Sequence, residues 1–250
     1  MTLPAPNKPV VQGAAPTGAP DQQAAARVVR EMFTAIAPRY DLLNHVLSMN
    51  VDRLWWRRAA RTFTHILRRP GARVLDLCCG TADMALALRR QGAASIFGAD
   101  FSHAMLTLGG RKACDRVKLI EADALALPVD DACFDLVASA FGFRNLTDYD
   151  VGLHEILRVL RRGGEVGILD FGEPKGVLGK IYRVYFRRVL PVVGTVISGV
   201  RGPYAYLPAS VERFPDPSQM LERMRAAGFA EVSWTPYTFG IAGLYRGARP

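Results

Sequence analysis

From Ala72 onward, short apolar runs alternate with helical patterns. The runs 72–78, 95–101, 117–123, 134–140 and 164–171 each read as a buried parallel strand. Between them the spacing predicts helices over 82–91, 103–113 and 148–161, with a shorter connection around 124–132. Arg158–Gly164 reads as a helix end, a glycine turn and a strand start. Such alternation predicts an α/β fold with a mostly parallel sheet and helices on both faces. Beyond residue 171 the alternation breaks. Residues 176–213 read as a helical insertion over the sheet edge, and 217–228 as a helix ending at a glycine. Strands 231–238 and 241–248 meet at Gly240, close enough to pair antiparallel, which brings the sheet to seven strands.

Ahead of the sheet the pattern is helical. Asp21 is placed to cap a helix that runs to Ala37, before Pro38. Arg53–Arg61 reads as a helix carrying two tryptophans and four arginines, and Pro70-Gly71 closes the section. Residues 1–20 are rich in Pro, Ala and Gly and are expected to form a disordered tail. Residues 21–250 are expected to form a single domain, without internal repeats.

Charge changes the picture more than composition does. Half the residues are hydrophobic and the formal charge is +9, a surplus that favours anionic partners or a solvated basic surface. No apolar run is long enough to span a bilayer, and no secretory signal pattern opens the chain. The cysteines Cys78, Cys79, Cys114 and Cys133 have neither metal spacing nor a disulfide framework, so they are expected to be reduced in a cytoplasmic protein. His45, His65, His103 and His154 show no ligand spacing, and no metal is expected. Met49, Trp55 and Trp56 read as helix packing.

The chemistry is carried by strand ends. The first strand stops at Cys78-Cys-Gly-Thr-Ala-Asp83, the second ends on Asp100, and the third ends on Asp123. This is where an α/β sheet holds a nucleotide-like cofactor. A dinucleotide site would prefer Gly-x-Gly-x-x-Gly, and a phosphate loop would need its own glycine-lysine pattern. Only one glycine stands here. A cofactor with adenosine but no pyrophosphate needs fewer glycines, and S-adenosylmethionine fits. Asp100 would hold the ribose hydroxyls, and Asp123-Ala124 would meet the adenine amine.

Leu75–Asp83, Ala99–Leu106, Ala122–Pro128 and Phe134–Val137 resemble a class I, Rossmann-like S-adenosylmethionine-dependent methyltransferase. The chain is more specifically similar to the ubiquinone/menaquinone biosynthesis C-methyltransferases. The closer markers are Ala37–Asn44, Asp52–Trp55, Phe141–Asn145, Tyr206–Ser210 leading into Phe214–Asp216, and Gly240–Gly247. The likeness covers about residues 27–248. It implies cofactor contacts at Asp76, Gly80, Thr81, Asp100, Phe101, Asp123 and Ala124. Two positions depart from the family pattern. Ala82 stands where glycine is usual, and Ala140 stands where serine is frequent. Ser139 is kept as a candidate, although a regular strand would point it to the opposite face.

The implied reaction methylates a ring carbon of a polyprenyl quinol, with demethylmenaquinol preferred over a benzoquinol. Raising electron density on that carbon calls for a deprotonated hydroxyl. Arg144 is expected to stabilise the resulting oxyanion, Asn145 to orient the quinol oxygen, and Tyr40 to cap the pocket. Arg144 has a competing reading as a salt bridge to Asp148 or Asp150. The isoprenoid tail suits residues 181–206, where Arg183, Arg187, Arg188 and Arg201 stand among Tyr182, Tyr185, Tyr204 and Tyr206. That segment reads as a peripheral membrane patch at the inner face of the cell membrane, or else as a helical cap on the sheet. A homodimer is left open. Nucleic acid is not expected as a partner, because no base-methylation loop or appended basic domain is present. Another lipidic or phenolic acceptor, or a non-catalytic subunit of a quinone-synthesis complex, remain as alternatives.

Overall fold

The structure is a computed structural model that describes residues 12–16, 18–48, 50–92, 94–172 and 203–250, with isolated positions 174, 179, 185 and 188. Seven strands form one sheet: β1 (Arg73–Leu77), β2 (Ser95–Asp100), β3 (Lys118–Glu121), β4 (Phe134–Ala140), β5 (Leu160–Phe171), β6 (Ala230–Tyr237) and β7 (Ala242–Ala248). Their order is β3-β2-β1-β4-β5-β7-β6. The first five run parallel, and β7 runs antiparallel between β5 and β6. The fold class is as the alternation predicts. The largest boundary change is at β5, which begins at Leu160, because Leu160 pairs with Phe134 ahead of a register shift that takes up the Arg161–Gly164 stretch.

The helices are α1 (Gln22–Ile36), α2 (Tyr40–Leu47), α3 (Val51–Thr62), α4 (Thr64–Leu67), α5 (Asp83–Arg89), α6 (His103–Ala113), α7 (Tyr149–Val159), α8 (Pro203–Arg213) and α9 (Pro217–Ala226). Their starts are written in the sequence. Asp21, Ser102 and Asp148 each accept from amides of the first turn of α1, α6 and α7. Asp216 and Gln219 close a reciprocal capping box on α9.

Alternate strand residues feed two cores. Val74, Ile96, Leu136, Ala138 and Leu169 pack under Trp55, Trp56, Phe63 and the helices α3 to α5. Leu75, Val137, Val166 and Ile168 pack on the other face, against Leu153 and Ile156 of α7 and Met220 and Met224 of α9. This two-sided burial is why the strands read as continuous apolar runs.

The tail expectation differs over residues 12–16. Ala14 is buried, its amide donates to Leu146 O, and Gln12 O accepts from the Tyr149 amide. A side chain at Gly13 would overlap the Thr147 backbone, so a small residue permits a close approach that composition alone does not reveal. Of the predicted insertion, α8 and the isolated positions 179, 185 and 188 lie within the described residues and the rest lies outside them. The 181–206 patch therefore falls largely outside them too. Among the described residues no helix is long and apolar enough to cross a membrane.

Candidate active site

β1, β2 and β4 release their chains along one edge of the sheet, and the loops there surround an open cleft, about 810 Å³ with the solvent space at its mouth included. Cys78 and Gly80 from the β1 loop, Asp100 and Phe101 from β2, Ala122–Leu125 after β3, and Ala140–Gly142 after β4 line it. The N-terminal helices contribute Ala26, Arg30, Phe33 and Tyr40. A smaller adjoining recess shares Tyr40, Cys78, Gly80, Ala140 and Phe141 with the cleft and adds Asp76 and Thr81.

The β1 loop is held in an unusual shape. Cys78, Gly80 and Ala82 all have left-handed backbones, with φ of 56°, 51° and 68°. Ala82 occupies the conformation that glycine adopts freely, and its methyl group is fully buried in the core. Across from it, Phe141 at the end of β4 is also left-handed, with φ of 59°. A Cβ at Gly142 would overlap the Cys78 side chain, so the β1 and β4 loops touch only because that position is glycine.

Asp100 is the best-organised carboxylate. Its Oδ2 accepts from the Gly80 amide and its Oδ1 from the Ser102 amide, both at 2.9 Å. Each oxygen keeps a lone pair for an outside donor. Burial raises its pKa, while the Ser102, Gly80 and Phe101 amides and the Arg30 charge pull the other way. Asp123 accepts from the Leu125 amide through Oδ1 at 2.9 Å. Asp76 is fully buried, and neither of its oxygens has a hydrogen-bond partner. Burial lifts its pKa well above the carboxylate range. The Ala85 amide lowers it in part without a hydrogen bond of ordinary geometry, and Asp100 and Asp83 raise it further. Burial likewise raises the Cys78 and Cys79 thiols well above their ordinary range, so neither is an activated nucleophile.

Two expected contact residues stand in other surroundings than the cleft wall. Thr81 lies beside the site, but its hydroxyl donates to Asp41 Oδ1 at 2.5 Å and accepts from Lys112 Nζ at 3.0 Å. It helps fasten α2 and α6 to the β1 loop, together with the Lys112 bridges to Asp41 and Asp83 at 2.7 and 2.9 Å. Ser139 is buried on the α7 side of the sheet, is absent from the cleft wall and has an unpartnered hydroxyl. The alternation of the strand turns it away from Ala140, which does face the cleft.

The acceptor side also rearranges. Asn145 and Tyr40 line the cleft. Tyr40 packs edge-on to Phe33 with ring centres 6.0 Å apart and sits over Gly80, as a cap would. Arg144, expected beside the reacting oxygen, is instead buried under the wall. Its Nη1 donates to Asp170 Oδ1 at 2.9 Å and to Phe141 O, its amide to Asp170 Oδ2 at 3.1 Å, and its Nε to Ser210 at 3.3 Å. The competing partners are engaged elsewhere: Asp148 caps α7, and Asp150 pairs with Arg223. Arg144 thus fixes the turn Phe143–Asn145. The Tyr206 hydroxyl completes the arrangement by donating to Asn145 Oδ1 at 3.2 Å, which leaves the Asn145 NH2 group as a donor.

Asp170, Ser210 and Arg30 are the residues that sequence reasoning missed. Asp170 closes an apolar strand as Asp100 does, and that was its available signal. Arg30 lies with its guanidinium 5.4 Å from the centre of the Phe101 ring. Each histidine has a local partner: Asp52, Glu165, Glu121 and the Asp150 carbonyl, in chain order. No acidic, histidine or cysteine cluster suited to a metal occurs among the described residues.

The ubiE/COQ5 methyltransferase family pattern matches residues 20–249. The chain belongs to the ubiE/COQ5 methyltransferase family. It is 50% identical over 224 residues to a demethylmenaquinone methyltransferase of Thermus thermophilus, covering 88% of this chain and all of the relative. It is 44% identical to a ubiquinone/menaquinone biosynthesis C-methyltransferase of Geobacter sulfurreducens over 88% of each chain. Among solved structures, a SAM-dependent methyltransferase from Thermotoga maritima superimposes with a TM-score of 0.63 at 18% identity, over 88% of this chain and 99% of the other. A phosphoethanolamine N-methyltransferase from Haemonchus contortus, solved with S-adenosyl-L-methionine, gives 0.59 at 15% identity over 78% and 53%. These two likenesses speak for the fold. In this chain the carboxylates of Asp100 and Asp123 line the cleft, and Asp76 lines the recess that adjoins it.

Proposed function

We propose that this protein methylates a ring carbon of a polyprenyl quinol, with demethylmenaquinol as the acceptor. As a member of the ubiE/COQ5 family, it is an S-adenosylmethionine-dependent C-methyltransferase of quinone biosynthesis. The demethylmenaquinone reading rests on the relatives at 50% and 47% identity, both named demethylmenaquinone methyltransferase. The observation that carries the mechanism is the cleft, whose acceptor wall holds Asn145 and Tyr40.

The cofactor fits the residues present. Asp100 has a lone pair to spare on each oxygen for the two adjacent hydroxyls of a ribose. Phe101, Met105, Ala122 and Leu125 give the flat apolar walls an adenine needs, and Asp123 stands among them. The orphaned Asp76 carboxylate is a polar group waiting for a cation, and an amino-acid ammonium group would satisfy it. S-adenosylmethionine supplies an electrophilic methyl group on a sulfonium.

The remaining work is orientation and activation of the acceptor. Asn145, aimed by Tyr206 and by the Arg144–Asp170 pair, offers its NH2 group to a quinol oxygen. Hydrogen bonding to the ionised form favours passage of the hydroxyl proton to water in the open cleft, which enriches the neighbouring ring carbon; the proton displaced from that carbon on methylation leaves to the same water as the ring regains aromaticity. Tyr40, Phe141 and Leu146 give the acceptor side apolar surface. The isoprenoid tail of such an acceptor partitions into a bilayer. The reading therefore includes a peripheral contact with the cytoplasmic face of the membrane.

The test is methyl transfer from labelled S-adenosylmethionine to short-chain demethylmenaquinol and to a demethylated benzoquinol, in parallel and under reducing conditions. Product from the naphthoquinol is expected. Product from the benzoquinol alone would overturn the ring assignment. No product with cofactor binding intact would point to another acceptor, and loss of both would favour a non-enzymatic role.

A further inference from the structure

Phe239 is 80% exposed and Leu54 is 60% exposed, more than any other large apolar side chain among the described residues. Phe239 is not simply left over on a loose loop. It sits in the tight turn Thr238–Gly240 between β6 and β7 with a left-handed backbone, φ 57° and ψ 22°, and Thr238 before it is left-handed too. A bulky residue held there is strained. The turn is braced from α3: Trp55 Nε1 donates to Thr238 Oγ1 at 2.8 Å, and the Arg58 guanidinium lies 4.3 Å from the centre of the Tyr237 ring. The brace fixes an aromatic side chain pointing into solvent.

The surroundings are cationic. The exposed residues at Arg53, Leu54, Arg57, Arg58 and Arg61 make one face of α3 arginine-rich, and the helix's acid, Asp52, is buried against His45. This surface lies at the cleft's end of the molecule. β7 starts at Ala242 opposite Phe171, the last residue of β5. Phe171 stacks on Phe141 of the cleft wall with ring centres 4.5 Å apart, and Trp55 lies 5.8 Å from Phe141. An aromatic layer thus runs from the cleft to the braced turn.

We propose that the Phe239 turn and the arginine face of α3 dock this protein on an anionic lipid bilayer. The chemistry suits that partner: an aromatic side chain enters the interface while arginines meet acidic headgroups. The orientation would bring the aromatic wall of the cleft to the membrane, where a prenylated acceptor resides. In that last respect the inference rests on the quinol reading above; the docking surface itself does not.

The experiment is sedimentation of the full chain with phosphatidylcholine vesicles, with and without phosphatidylglycerol, at two salt concentrations. Binding should require phosphatidylglycerol and weaken with salt. Phe239→Ser should lower the partition coefficient at least tenfold, and Arg53→Gln or Arg57→Gln about fivefold each, all with unchanged cofactor binding by calorimetry and unchanged Tm. Equal binding by Phe239→Ser would overturn the proposal, as would absence of binding by the parent. A lowered Tm with unchanged vesicle affinity would assign Phe239 to packing within the chain, and would also overturn it. Vesicle binding without any methyl transfer would leave this surface standing and sink the function; transfer to a short-chain acceptor without vesicle binding would do the reverse.

Discussion

Asp170→Ala removes three hydrogen-bond acceptances at once. Oδ1 of Asp170 takes the Arg144 guanidinium at 2.9 Å and the Phe171 amide at 2.8 Å, and Oδ2 takes the Arg144 amide at 3.1 Å. Asp170 is fully buried and Arg144 is 6% exposed, so water cannot replace the lost carboxylate. Removing one partner of such a pair costs about 3–5 kcal/mol, because the other charge stays buried and uncompensated. The stranded amides belong to the same network, so their loss is counted within that figure. For a domain of this size each kcal/mol is worth about 2–4 °C, and thermal unfolding of the ligand-free protein should fall by about 6–20 °C. The double replacement Arg144→Met with Asp170→Asn removes both charges at nearly constant volume, and should stay within about 2 kcal/mol of the parent. The double variant also separates two roles. With Arg144 as a positioning residue, it keeps measurable methyl transfer and unchanged cofactor affinity. A folded double variant with abolished turnover and intact cofactor binding would return Arg144 to the reacting oxygen. Asp170→Ala unfolding within about 1 kcal/mol of the parent would refute the claim that this pair supports the Phe143–Asn145 turn.

Gly142→Ala should force the β1 and β4 loops apart, because the new methyl group overlaps Cys78. A cost of about 1–3 kcal/mol is expected, with at least a tenfold loss of cofactor affinity by calorimetry; an unchanged Kd and Tm would contradict it. Asp76 gives a pH signature. The folded chain holds its proton above the ordinary carboxylate range, whereas the unfolded chain releases it there. The native state then binds more protons, and stability without ligand declines as pH rises from that range toward the raised pKa. Asp76→Asn should flatten this decline in Tm measured from pH 5 to 8, and an equally steep slope in the variant would exclude Asp76 as its source.

The cofactor half of the site was legible because its signals are local. Each of Asp76, Asp100 and Asp123 stands within or at the end of a short apolar run, and the sheet needs only parallel order to bring them together. The acceptor half depends on pairings between distant segments. Arg144 reads as an available cation until the register of β4 on β5 brings Asp170 beneath it, and no periodicity announces that partner. Thr81 looked available for the same reason, since Asp41 and Lys112 reach it from two different helices. The wall supplied by α1 was equally hidden. Its buried stripe at Ala25, Val29 and Ile36 shows that the helix packs, but not that Arg30 and Phe33 face a cleft.

The place of β7 within the sheet sets a timetable for synthesis. β5 finds β4 already made on one side, but its other side is covered only by residues 242–248, roughly seventy residues later. At about 5–20 residues per second, the ribosome leaves that flank of β5 unpaired for several seconds. During this interval Val166, Ile168 and Asp170, all fully buried in the finished protein or nearly so, border an open row of backbone donors and acceptors. The nascent chain can therefore assemble most of its cofactor edge early, yet it passes through a stage at which that strand is vulnerable to pairing with another chain.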